Sequence, residues 1–120
     1  MASKSTGDSS RISPRFKFET RFRLRLQRNG DTVTVGGWAR DLSESGIGAF
    51  VAEELTTGEA VELEVPFAGG ILLTLQACVS RTLGTQYGLM FTALSPEQRR
   101  HVQSAMAGKS PLPSPFLPKE

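Results

Sequence analysis

The sequence predicts an all-β fold, a barrel or a sandwich of six strands, with one helix at its C-terminal end and disordered tails on either side. Apolar and charged residues alternate with period two through most of the chain, which is the signature of half-buried strands. Short turns bearing glycine separate the alternating runs. Only one segment, near the end, carries helix start and stop signals. At 120 residues the chain fits one domain with one modest core.

The elements follow in order. Residues 1–10, MASKSTGDSS, are small and polar and read as a disordered leader. In RFKFETRFRLRLQR, Phe16, Phe18, Phe22, Leu24 and Leu26 alternate with charged neighbours, giving a long strand with one buried and one wet face. Asn29-Gly30 supplies a tight hairpin turn. TVTVGGWARDLS is the second strand, where Gly36-Gly37 implies a bulge or a close backbone approach. That uncertainty in register leaves Trp38 undecided between core and surface, and Tyr87 is equally open. IGAFVAEE, AVELEVPF, ILLTLQACVSRT and QYGLMFTAL complete the six strands. Closing them into a barrel would remove exposed edges. Ser95 can cap a helix with Pro96 at its first position and Gln98 completing a capping box; Gly108 stops it. Val102, Ala105 and Met106 share its apolar face. The tail KSPLPSPFLPKE contains four prolines and favours an extended, disordered end.

Charge is unevenly distributed. Residues 1–40 hold nine Lys/Arg against three acids, and residues 41–120 hold five against nine, so +6 and −4 compose the net +2. The basic end attracts anions. Cys78 is the only cysteine, which excludes an intramolecular disulfide and a Cys-rich metal site, and its apolar surroundings suggest a small core residue. No apolar run is long enough to span a membrane, and the N-terminus lacks an apolar signal region, so a reduced, cytoplasmic protein is expected.

Two motifs carry chemistry. In RISPR, Pro14 biases Ser13 away from the helical region, placing Arg11 and Arg15 on an extended, hinge-like segment. Two permanently charged forks there suit an anion with flat surfaces, or form a solvated basic leader. In DLSESGIG, period two puts Asp41 and Ser43 on one face. The carboxylate can accept two hydrogen bonds from a flat donor edge, and the hydroxyl can reach a neighbouring polar atom. Gly46 allows positive φ or close approach of a ligand. A polar turn capped by its own Asp and Ser is the alternative.

R-x-x-x-R at 11–15, D-x-S-x-x-G at 41–46, the GEAVELEVPF and QYGLMF strands and the helix starting at SPEQ together resemble the PilZ domain, the family of bacterial receptors for cyclic di-GMP. The resemblance spans roughly residues 11–107. It implies a six-stranded antiparallel split β-barrel with one C-terminal helix at 95–107, an arginine switch loop at 11–15 and a Pro-rich tail at 108–120. It implies that Arg11, Arg15, Asp41, Ser43 and Gly46 bind cyclic di-GMP. Arginine grips phosphate oxygens or the guanine O6/N7 edge, and Asp41 accepts from guanine N1–H and N2–H₂. The leader would order over the ligand, and the changed surface would be read by an unidentified protein effector governing motility, pili, exopolysaccharide or transcription. Ser10 stands where dimer-binding members often carry a further arginine, which favours one bound ligand.

Other classes are weaker. Arg15, Lys17, Arg21, Arg23, Arg25 and Arg28 give the first strand a basic face, but only Trp38 is available for base stacking, so nucleic acid is not the expected partner. His101, the single histidine, reads as helix surface. No nucleophile elbow, phosphate-cradling loop or metal-ligand cluster appears, so no enzymatic role, cofactor or metal is expected. The same fold acting as an adaptor without nucleotide is the remaining alternative.

Overall fold

Asn29 and Gly30 both take positive φ, 53° and 84°, the pair of left-handed residues that a two-residue type I′ turn requires. In the computed structural model, which describes residues 13–113, this turn joins β1 (Phe16–Arg28) to β2 (Asp31–Ser43), with Arg28 opposite Asp31. Four strands follow: β3 (Gly46–Val51), β4 (Ala60–Phe67), β5 (Ile71–Leu83) and β6 (Gln86–Ala93). Every pairing is antiparallel, in the order β1-β2-β3-β6-β5-β4, and β4 pairs back onto β1. Of the two architectures that alternation permits, the closed barrel is the one formed.

The interior is built by one face of each strand. Leu24, Leu42, Ile47, Leu63, Leu75 and Leu89 come from all six strands and are essentially inaccessible to solvent. Each such side chain contributes about 1.5–3 kcal/mol by leaving water. Tyr87 belongs to this core, and its hydroxyl accepts a hydrogen bond from the Leu55 backbone N–H at 3.2 Å. Trp38 lies on the outside, 42% exposed. Cys78 also differs from expectation. Leu75, Ala77 and Val79 point inward, so period two turns Cys78 to the outer face, where it is half-buried and free.

The bulge considered for Gly36-Gly37 lies elsewhere. Gly37 instead meets a close approach, since a Cβ there would stand 2.6 Å from the Phe22 ring. The register breaks further on, where β1 uses Lys17 to Thr20 against Ala39 to Asp41 of β2. A bulge turns the local backbone and re-aims side chains, and Asp41 sits directly beside it. Arg28 falls on the opposite alternation from Arg21, Arg23 and Arg25, so it leaves their face. It binds the Glu59 carboxylate and the Glu54 carbonyl instead.

Helix α1 (Pro96–Met106) starts as its residues dictate. The Ser95 hydroxyl accepts from the Gln98 N–H at 3.0 Å, and the Gln98 side chain accepts from the Ser95 N–H, also at 3.0 Å. Gln98 Nε2 also donates to the Thr74 carbonyl of β5 at 2.8 Å. Val102 is buried, the helix packs against β2, and Gly108 turns the chain away at φ 77°. The next residues return to the start of β1. Lys109 Nζ donates to the Lys17 carbonyl at 2.8 Å, and the Leu112 N–H donates to the Arg15 carbonyl at 2.7 Å.

Candidate functional site

Asp41 and Arg15 meet on the barrel's outer surface. Arg15, immediately before β1, donates from Nη1 to Asp41 Oδ1 at 2.8 Å, and both side chains are partly exposed. The bonds to Leu112 and Lys109 hold the backbone that presents Arg15. Asp41 is opposite Lys17 on one side and Gly48 on the other. A Cβ on Gly48 would stand 2.6 Å from Asp41 Oδ1 and 2.9 Å from Oδ2. Glycine at 48 is thus what lets the carboxylate lie over the neighbouring strand.

The row continues laterally. Gly48 is opposite Gly88 of β6, and Gly88 is opposite Arg81 of β5. A Cβ on Gly88 would meet Ser80 Oγ at 2.9 Å. Two adjacent strands therefore carry no side chain of their own in this row, a floor overlain by the Asp41 carboxylate at Gly48 and by the Ser80 and Arg81 side chains at Gly88, which is buried. At the usual strand spacing that floor is about 14 Å wide. A low row of two glycines edged by a carboxylate and guanidinium groups offers a flat, aromatic, anionic molecule few fixed side chains to displace.

Ser43 and Gly46 stand beside this floor, at the turn from β2 to β3. Ser43 is only 4% exposed. Its hydroxyl accepts from the N–H groups of Ser45 and Gly46, both at 3.2 Å, and lies 3.1 Å from Ser45 Oγ. It thereby shapes the turn from β2 to β3, a serine turn of the kind the residue types allow. Gly46 is not at positive φ. A Cβ there would run into the Leu89 carbonyl, so glycine is needed for the approach of β3 to β6. The structure thus brings Arg15, Asp41, Ser43 and Gly46 to one corner of the barrel. Arg11 and Ser10 lie outside the described residues.

Sequence reasoning missed Gly48 as the neighbour of Asp41, and Gly88 and Arg81 as the continuation of its row. Their signal was present in the alternation, as glycines at outward-facing positions of strands, but their alignment depends on inter-strand register. Among the described residues no cluster of three or more His, Cys, Asp or Glu could hold a metal ion. Among the described residues no helix is long and apolar enough to cross a membrane.

These features define a small β-barrel module with a polar, glycine-floored site on its outer wall. The family model described as PilZ domain matches residues 9–108, and the chain belongs to that family. Solved structures agree in fold. The PilZ domain of CeSA from a cellulose-synthesizing bacterium is 20% identical, with a TM-score of 0.60 over 76% of this chain and 92% of that one. The PilZ domain of YcgR from Escherichia coli, solved with c-di-GMP, is 19% identical, with a TM-score of 0.60 over 78% of this chain and 86% of that one. The Bacillus subtilis inhibitor of motility MotI/DgrA is 14% identical, with a TM-score of 0.58 over 80% of this chain and 49% of that one. Among curated protein sequences none matches the chain significantly.

Proposed function

We propose that this protein is a cytoplasmic receptor for cyclic di-GMP that acts without catalysis and relays occupancy of its site to a protein effector. The observation that carries the reading is the Arg15–Asp41 pair at the edge of the Gly48–Gly88 floor. Cyclic di-GMP presents two guanine planes and two phosphates. Asp41 accepts from the guanine N1–H and N2–H₂ edge, a pattern that a neutral or basic side chain cannot serve. Arg15 exchanges its carboxylate partner for a phosphate or a guanine O6/N7 edge. Arg11, four residues upstream, supplies the second guanidinium. Ser43 and Gly46 act by holding the turn on which Asp41 is placed.

The c-di-GMP bound to the YcgR domain supports this reading. A second reading rests on the same ion pair: Arg15 and Asp41 already satisfy one another, so the barrel is complete as an adaptor working through protein contact alone. Calorimetric titration of cyclic di-GMP, with GTP as control, separates the two. The receptor reading expects micromolar or tighter binding to wild type, no response to GTP, and loss of affinity by about a hundredfold in Arg15→Ala and Asp41→Ala, the scale expected when one partner of a charge-assisted contact is removed. Absence of binding by folded wild-type protein leaves the adaptor.

A further inference from the structure

A second surface lies on β2, three residues before Asp41. There an open groove of about 880 Å³ runs over the outer face of β5, β4, β1, β2 and β3. Its floor is Gly36 and Gly37, with the Phe22 ring packed beneath Gly37. Trp38, 42% exposed, and Leu72, 57% exposed, stand at its sides together with Pro66. Arg21 and Arg23 form one rim, and Arg40 lies over the Phe50 ring at 5.2 Å next to Trp38.

Two features distinguish this groove from incidental exposure of apolar side chains. Gly36 is not required by the fold: its φ is not positive, and a Cβ there would meet no atom within 4 Å. Glycine in a strand interior is destabilising relative to residues with side chains. The fold thus keeps an unfavourable residue that leaves the groove open. The lining is also unbalanced in charge, with Glu64 as its one carboxylate against Arg21 and Arg23. Arg21 has no carboxylate partner among the described residues, and the 69%-exposed Arg23 side chain shares Glu64, at 3.7 Å, with Arg25.

We propose that this groove docks an acidic segment of a partner protein bearing a bulky apolar side chain. The apolar group enters between Trp38 and Leu72, and the carboxylates meet Arg21 and Arg23. Charge complementarity selects this occupant. Within the chain itself, residues 109–112 run from Lys17 towards Arg15, away from Arg21 and Arg23, and the charges of Lys119 and Glu120 cancel. Of the three aromatic side chains lining the groove, Phe22 is buried and the Phe50 ring lies under Arg40, so Trp38 alone offers a free face, a poor platform for successive bases. The proposal does not depend on nucleotide binding at Asp41.

The test is selection of random peptides displayed on phage against the full chain. Trp38 is the only tryptophan, so its emission reports occupancy directly. Enriched peptides should combine Asp or Glu with Leu, Phe or Trp and shift Trp38 emission to shorter wavelength. They should lose about tenfold or more in affinity to Arg21→Glu. Gly36→Val should lose as much while its melting temperature stays level or rises, which shows that the groove was filled rather than the fold broken. No enrichment, enriched peptides without acidic residues, or full binding by Gly36→Val would each overturn the proposal. So would tighter quenching of Trp38 by an oligo-dT strand than by any selected peptide. A dimer in sedimentation that Gly36→Val abolishes would assign the groove to a second copy, and peptide binding seen only after removal of residues 114–120 would assign it to the tail.

Discussion

Gly46 and Gly48 stand two residues apart on β3 and are glycine for different reasons. At 46 the obstacle is the Leu89 carbonyl, part of a strand that cannot retreat without breaking its pairing. At 48 it is the Asp41 carboxylate, the far end of a side chain that can rotate. Gly46→Ala should therefore cost stability, about 1–3 kcal/mol as for other overpacked sites, seen as a fall of roughly 5–15 °C in melting temperature. Gly48→Ala should melt close to wild type yet bind cyclic di-GMP about tenfold or more weakly, because the carboxylate is pushed off its place beside Arg15. Calorimetry of the two variants checks the contrast. Equal loss of stability in both would show that the Gly48 position serves packing alone.

Among the elements, the segment after α1 is the one whose effect on the site is least expected from its composition. Residues 108–120 read as a Pro-rich tail, yet the Leu112 N–H and Lys109 Nζ bond to the Arg15 and Lys17 carbonyls. Leu112→Pro removes that N–H while suiting an extended run between Pro111 and Pro113. The expected result is a melting temperature near that of wild type and about fivefold weaker cyclic di-GMP binding, the equivalent of one net hydrogen bond. Unchanged affinity would show that Arg15 is positioned by Asp41 alone. The contact also marks where the sequence stops being informative. Each strand was legible from its own period, and α1 from Ser95, Pro96 and Gln98, because those signals are local. Arg15 and Asp41 were legible as motif residues. The bulge at 17–20 was not, since no glycine or proline marks it. The Gly48–Gly88 row and the Leu112 bond join residues far apart in sequence, and only the register of the closed barrel brings them together.

For the molecule as a whole, closure depends on the seam between β1 and β4, where only Arg23–Glu64, Leu24–Leu63 and Arg25–Glu62 are opposed. Leu24 and Leu63 seal it from inside. Outside, Arg25 Nε meets Glu62 Oε1 at 2.9 Å, and Arg28 holds Glu59, the residue before β4. The bond from Gln76, followed by that from Arg25, lowers the Glu62 carboxyl below its ordinary range, and Arg28 chiefly does the same to Glu59. Depressed folded-state values mean that the unfolded chain binds protons first. The stabilisation is therefore complete above the ordinary value of 4.5 and is lost as pH falls below it towards the folded-state values. Glu59, with 18% of its side chain exposed, should carry more of it than Glu62, with 37% exposed and better screened by solvent. Thermal melts from neutral pH down into this range should show a plateau and then a decline, and Glu59→Gln/Glu62→Gln should flatten the decline. Leu63→Ala provides the contrast: a cavity in the inner seal costs about 2–5 kcal/mol at every pH, lowering the whole curve without changing its slope. An unaltered acid slope in the double variant would mean that other carboxylates govern acid unfolding and that the outer ion pairs of the seam are incidental to closure.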